Sequence, residues 1–249
     1  VDAILYLLRD FESPDVAEAG AVSPKDDLET LKTELVLKDL ETLNKIKEKK
    51  ANDKEEKLKK KTAEKMIPAL EKGALAKDVD LSEEEHQATQ DFFLLTNKPM
   101  MFVINVSEEA DYEKKAKEYQ ELEPIITSAK FEADLQQLSN EERETFLDDQ
   151  EYQSTLDKII TKAYNLLDLI TFYTIKGGKE TRAWPIEQGS TVVQAAGIVH
   201  TDFAENFVKA EVVSYQDFIN NHGWKGAQEA GKLRLEGKEY LVQDGDIIE

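Results

Sequence analysis

The chain has 249 residues, with 52 Asp and Glu against 32 Lys and Arg, a net charge of −20 and no cysteine. That balance excludes a broad nucleic-acid-coating surface, which needs clustered positive charge, but not one local basic patch. The missing cysteines exclude disulfides and thiolate catalysis and permit a reducing compartment.

The length suits about two domains. No apolar run approaches the ~20 residues that span a bilayer, and no basic start with a small-residue cleavage site marks a signal peptide. The cytoplasm is the expected compartment.

In chain order, Val1 to Leu8 is an apolar run suited to a central parallel-sheet strand. A chain that opens inside such a strand, without Met, reads as a piece of a longer one. Residues 9–26 carry Pro14, Gly20 and Pro24 and read as a loop, and Ser23-Pro24-Lys25-Asp26-Asp27 is helix-start chemistry. From Leu28 to Lys50 the residues Leu28, Leu31, Leu35, Leu40, Leu43 and Ile46 make one helical stripe. Ala51-Asn52-Asp53 is a bend. A second helix is expected over Lys54–Leu70 and a third from Ser82, an N-cap, to Phe93. Together they suggest an antiparallel helical hairpin whose Lys/Glu-rich tip is either a solvated face or a partner-binding arm.

Met100 to Val106 is a second buried strand, followed by a helix over Tyr112–Glu121 and a short strand, Pro124–Thr127, that ends at Ser128-Ala129-Lys130. Helices are expected at Glu141–Leu147 and Thr155–Leu167. Strand, helix, strand is the grammar of a parallel α/β sheet, whose ligands sit beyond the carboxyl ends of the strands. Asn105 and Ser128 both lie at such ends.

From Leu169 the pattern changes. Ile170–Ile175 and Thr181–Ile186 flank Gly177-Gly178 as a hairpin, and Val192–Val199 is a short helix. Phe207–Val213 alternates as a strand, and Tyr240–Ile248 reads as strand, Asp-Gly turn, strand. This is an α+β domain of β-grasp type.

Asn105-Val106-Ser107-Glu108 is the sharpest small motif. An Asn at a strand end can tie base-binding loops together with its amide. Alone, the motif reads as a strand-end loop with a solvated Glu. Asn97-Lys98 lacks a following Asp and precedes its strand, so it is set aside. His86, His200 and His222 have no metal-ligand spacing. His200 opens a turn in which Asp202 orients it or caps the backbone.

The words HTDF (200–203), KAEVVSYQDF (209–218), EAGKLRLEGKEY (229–240) and VQDGDII (242–248), in this order and spacing, closely resemble the TGS domain of YchF-type Obg-like ATPases of the TRAFAC P-loop GTPase class. The departures are small. Asn206 stands where Gly is expected and Lys209 where Arg is expected, and the family domain runs a few residues past Glu249. The resemblance covers essentially the whole chain and is weakest through the helices.

The resemblance implies a partial P-loop nucleotide domain over 1–165, with a coiled-coil arm inserted at about 28–93, and a TGS domain over 166–249. It implies a soluble, ribosome-associated enzyme that hydrolyses ATP in preference to GTP with Mg²⁺, binds RNA in some contexts, and reads no DNA sequence. Its nucleotide contacts fall on Asn105, Val106, Glu108, Ser128 and Ala129. Guanine-binding relatives use an Asp where Glu108 stands, and adenine offers that Asp no matching pair of donors.

No G-x-x-x-x-G-K-[ST] occurs in the sequence, and no Mg²⁺-holding Asp has a candidate. No catalytic residue is therefore assigned, and the chain alone is expected to be inactive. The rival reading is a non-catalytic ribosome- or RNA-binding module made of a helical arm and a β-grasp domain. A structural coiled-coil adaptor ranks last, because the apolar stripe is lost by Lys47.

Overall fold

The computed structural model describes residues 1–12, 23–139, 141–143, 145, 154–176 and 180–249. The chain divides into two units, Val1–Ala163 and Tyr164–Glu249.

In the first unit, strand β1 (Ile4–Asp10) runs parallel to β2 (Met100–Val106), which runs parallel to β3 (Ile125–Thr127), so β2 is central. The expectation that the first strand is central is corrected. Among the described residues β1 is an edge. Tyr6 and Leu8 are buried on one face, whereas Leu5 is 45% and Leu7 57% exposed on the other.

Helix α1 (Pro24–Glu48) begins as its residues dictate. Ser23 Oγ accepts from the Asp26 N–H, and Pro24, which has no N–H to leave unpaired, occupies the first turn. Its apolar stripe serves two cores. Leu28, with Leu31 and Leu35, packs on the sheet beside Tyr6, Ile104 and Val106. Val36, Leu40, Leu43 and Ile46 pack against α2 (Lys54–Leu70) through Ala63, Met66 and Ile67. The link between the helices is closed by Asp53, which accepts from the Glu56 N–H at 2.8 Å, while Glu56 accepts from the Asn52 N–H at 2.6 Å.

Helix α3 (Glu83–Thr89) opens on a reciprocal capping box between Ser82 and Glu85 and gives way to a 3₁₀ turn over Gln90–Phe92. Helices α4 (Tyr112–Glu118), α5 (Ala129–Leu135) and α6 (Thr155–Leu166, whose first nine residues belong to this unit) follow. The helix expected over Tyr112–Glu121 thus ends early, in a 3₁₀ turn over Gln120–Leu122. Of the helix expected at Glu141–Leu147, residues 141–143 and 145 are helical, and the other three lie outside the described residues.

In the second unit β4 (Leu169–Lys176) and β5 (Glu180–Glu187) pair antiparallel, with Phe172 opposite Trp184. The Gly177-Gly178 turn lies outside the described residues. Helices α7 (Val192–Val199) and α8 (Thr201–Glu205) follow, then β6 (Ala210–Ser214), α9 (Tyr215–Asn220), α10 (Trp224–Glu229), β7 (Arg234–Glu236) and β8 (Asp246–Ile248).

The sheet order is β5-β4-β8-β6-β7, with β8 parallel to β4 and antiparallel to β6. One core unites Phe172, Ile186 and Val212 with Val192 and Ala195 of α7. Another unites Val213 and Ile247 with Ala227 of α10.

Two sequence expectations fail here. The strand begins at Ala210 instead of Phe207. Asp244-Gly245 joins no hairpin: Asp244 Oδ1 accepts from the Thr171 N–H and Gly245 N–H donates to the Thr171 carbonyl, both at 2.8 Å, so the turn is fastened to β4. Before it, Leu241 makes only an isolated bridge to Thr191.

Candidate base-binding site

The carboxyl ends of β2 and β3 are adjacent, since Asn105 stands opposite Thr127 in the parallel register. Each strand therefore delivers its following loop to the same edge. The end of β2 and the loop after it carry Asn105, Val106, Ser107 and Glu108, and the link from β3 into α5 carries Ser128, Ala129 and Lys130.

Two bonds tie these loops across the gap. Asn105 Oδ1 accepts from the Ala129 N–H at 2.9 Å, and Lys130 Nζ donates to Glu108 Oε2 at 2.6 Å. Lys130 is exposed, and its pKa is raised, first by the hydrogen bond to Glu108 and then by that carboxylate's charge.

The other named residues have different roles. The Val106 side chain is buried in the strand core, so only its backbone is offered to a ligand. Ser128 is 1% exposed; its Oγ accepts from the Phe131 N–H at 3.3 Å and so caps α5. The pKa of Tyr112, on α4, is raised, first by burial, with Ser128 opposing. The Ser128 oxygen is thus engaged within the protein, and the exposed residues beside it are Ala129 and Lys130.

Beneath the loops lies a network that sequence reasoning missed. Glu132, buried on α5, accepts from the Thr155 N–H at 2.6 Å, from Thr155 Oγ1 at 2.5 Å and from Ser154 Oγ at 2.9 Å. Thr155 has a single hydroxyl hydrogen, which goes to Glu132, so Thr127 Oγ1 is the donor in its 2.5 Å contact with Thr155. The chain Thr127–Thr155–Glu132 locks the start of α6 against β3 and α5. A Glu on an acidic chain gives no local sign of such burial; only the hydroxyl pair Ser154-Thr155 before a helix hints at it.

At the neighbouring strand end, Asp10 accepts from Tyr119 Oη at 3.0 Å and pairs with Lys115 at 2.6 Å, which ties β1 to α4. His200 caps α8 itself, with Nδ1 accepting from the Asp202 N–H at 3.2 Å. In the second unit a cavity of about 710 Å³ is lined by Phe172, Trp184, Val199, Phe203 and Phe207. Among the described residues no three His, Asp or Glu side chains converge as a metal site would, and no helix is long and apolar enough to cross a membrane.

A parallel β-sheet with paired loops at its strand ends, followed by a mixed-sheet unit, defines an α/β protein with the architecture of known YchF proteins. The fold superposes on the YchF GTPase of Schizosaccharomyces pombe with a TM-score of 0.77 at 33% identity, over 100% of this chain and 72% of that one. The family model YchF-GTPase_C, described as a protein of unknown function (DUF933), matches residues 169–249. The ribosome-binding ATPase YchF of Haemophilus influenzae is 40% identical over 99% of this chain and 72% of its own length. That of Bacillus subtilis is 39% identical over 100% of this chain and 72% of its own length. The chain belongs to the YchF family, whose bacterial members carry the name of ribosome-binding ATPases.

Proposed function

We propose that this chain is the base-binding and partner-binding part of a ribosome-associated P-loop ATPase that takes ATP in preference to GTP. The relatives' names divide on the base, ATPase in the bacteria and GTPase in the fission yeast. The observation that carries our reading is the bond from the Ala129 N–H to Asn105. Position 6 of guanine is an acceptor and needs a donor, and this exposed amide is already used. Position 6 of adenine is an amino donor, which exposed backbone carbonyls of the same loops can accept.

Asn105 then fixes the two loops relative to each other, the backbones of Val106 and Ala129 line the base, Ser128 shapes its loop from within, and Glu108 borders the site. In the same reading, residues 1–165 are the nucleotide domain, α1 to α3 within about 28–93 are its arm, and residues 166–249 are a β-grasp TGS domain. The arm and the TGS domain meet the ribosome, with RNA as a further contact, in the cytoplasm. Among the described residues no cluster of three or more His, Asp or Glu side chains offers itself to Mg²⁺.

Phosphoryl transfer rests on a phosphate-cradling loop, its Lys and a held Mg²⁺. The sequence offers none of these. Losing several charge-assisted contacts, each about 1.5–3 kcal/mol, weakens nucleotide affinity by orders of magnitude. The chain alone is therefore expected to release no phosphate from ATP, and steady-state phosphate release checks this with the B. subtilis relative as positive control. Turnover comparable to that control would show that the chemistry is encoded in this chain.

A further inference from the structure

We propose that Lys130 is a specificity-determining positioning residue: by holding Glu108 in an ion pair across the loop site, it withholds the carboxylate that would otherwise accept the paired N–H donors of guanine. The proposal rests on the base-site reading above and deepens it.

Glu108 is the one carboxylate at the tip of the β2 loop that is bonded to the opposite loop. A free carboxylate there has two acceptor oxygens, matching the ring N–H and exocyclic amino group that guanine presents side by side. Adenine has no such pair, because its ring nitrogen at that edge is an acceptor that a carboxylate repels. The identity of the side chain at 108 therefore does not settle the base; its availability does.

The structure shows what controls availability. Lys130 Nζ lies 2.6 Å from Glu108 Oε2, and it reaches across from the opposite loop. The side chain of Glu108 is 31% exposed and that of Lys130 74% exposed, so the pair is a surface latch that can open. An exposed ion pair contributes little to stability, so removing it changes what the loops recognise more than whether they fold. The second tie, from Asn105 to Ala129, stays in place and keeps the loops together.

In this arrangement Lys130 acts twice. It compensates the charge of Glu108, and it engages Oε2, one of the two oxygens with which that carboxylate would bond guanine. Replacing Lys130 with a side chain of similar reach and no charge frees Glu108 without opening the site.

The test is an NMR titration of the chain with AMP and, separately, with GMP, following the Ser107 and Ala129 amides. The wild type is expected to bind AMP at least as well as GMP. Lys130→Met is expected to move the GMP-to-AMP affinity ratio toward GMP by about tenfold or more, the size of one charge-assisted interaction. Lys130→Arg, which keeps the pair, should retain the wild-type ratio. The double variant Lys130→Met with Glu108→Gln should return toward it, since an amide offers only one acceptor oxygen. The ratio is internally controlled, because a purely structural loss would weaken both nucleotides alike. If Lys130→Met binds both nucleotides with an unchanged ratio, the role of Lys130 is overturned and the base site stands. If neither nucleotide shifts these amides in any variant, the base site and the role of Lys130 fall together.

Discussion

At the residue scale, a buried polar cluster in the second unit is built on Asp246, which is 2% exposed on β8. It accepts from Tyr240 Oη at 2.6 Å, from the Gln243 N–H at 2.9 Å and from Arg234 at 3.1 Å. Three donors satisfy the carboxylate where water cannot. The Tyr240 phenol is pushed up to about 12, first by burial and then by its bond to Asp246, with Arg234 opposing. An unfolded Tyr loses its proton near ~10. The neutral phenol's contribution is therefore fully present below about pH 10 and is lost as pH rises through about 12. Tyr240→Phe removes a hydrogen bond to a charged group, at a cost of about 1.5–3 kcal/mol near neutrality. The variant lacks this alkaline loss, so its deficit should shrink between about pH 10 and 12. Urea unfolding followed by tryptophan fluorescence measures it, since the chain's 2 Trp, Trp184 and Trp224, both lie in this unit. A deficit that stays constant over that range would refute the assignment.

At the element scale, α1 is held by one buried acid as well as by its apolar stripe. Asp39, 1% exposed, accepts from the Leu95 N–H at 2.7 Å, the Thr96 N–H at 2.8 Å and Thr96 Oγ1 at 2.6 Å. Thr96 Oγ1 in turn accepts from the Ala76 N–H at 2.8 Å. One carboxylate thus fastens the two irregular segments beyond α2 to the middle of α1. Asp39→Ala leaves buried donors unpaired and should cost about 3 kcal/mol or more in the first unit. Amide exchange at Leu95 and Thr96 should speed up with it, and unchanged protection at both would contradict the role.

What the sequence shows and hides follows from where each signal resides. The stripe of α1, the caps at Ser23 and Ser82 and the strand Met100–Val106 are local patterns, and each is legible. Asp39 sits among charged neighbours and gives no sign that Leu95 and Thr96 will approach it from 56 and 57 residues away. Helix α5 was hidden behind the Ser-Ala-Lys loop, although Ser128 is a good N-cap residue. The Asp-Gly turn misled because its partner, Thr171, is 73 residues distant. Within the site, Asn105 and Ser128 were legible as strand ends. The pairing of Glu108 with Lys130 was not, since it depends on the register of β2 against β3.

At the scale of the whole molecule, the two units differ in how completely each covers its own sheet. In the first, β1 leaves Leu5 and Leu7 exposed on one face and is an edge among the described residues. Unpaired edges with apolar faces invite association. In the second, the sheet has a core on each face. Phe172 and Val212 are covered through Val192 and Ala195 of α7, and Val213 and Ile247 through Ala227 of α10. The Asp246 cluster and the fastening of Asp244-Gly245 to Thr171 also lie wholly within it. Each stabilising feature named in this unit has its partners inside the unit, and chains of this size can fold alone when their core is complete. A polypeptide spanning Tyr164–Glu249 is therefore expected to give a dispersed amide spectrum and to unfold in one cooperative step. Its midpoint should match the tryptophan-detected transition of the whole chain, because that signal comes from this unit only. A collapsed spectrum, or a midpoint more than about 8 °C lower, equivalent to roughly 1–2 kcal/mol for a domain of this size, would mean that the first unit supplies part of its stability.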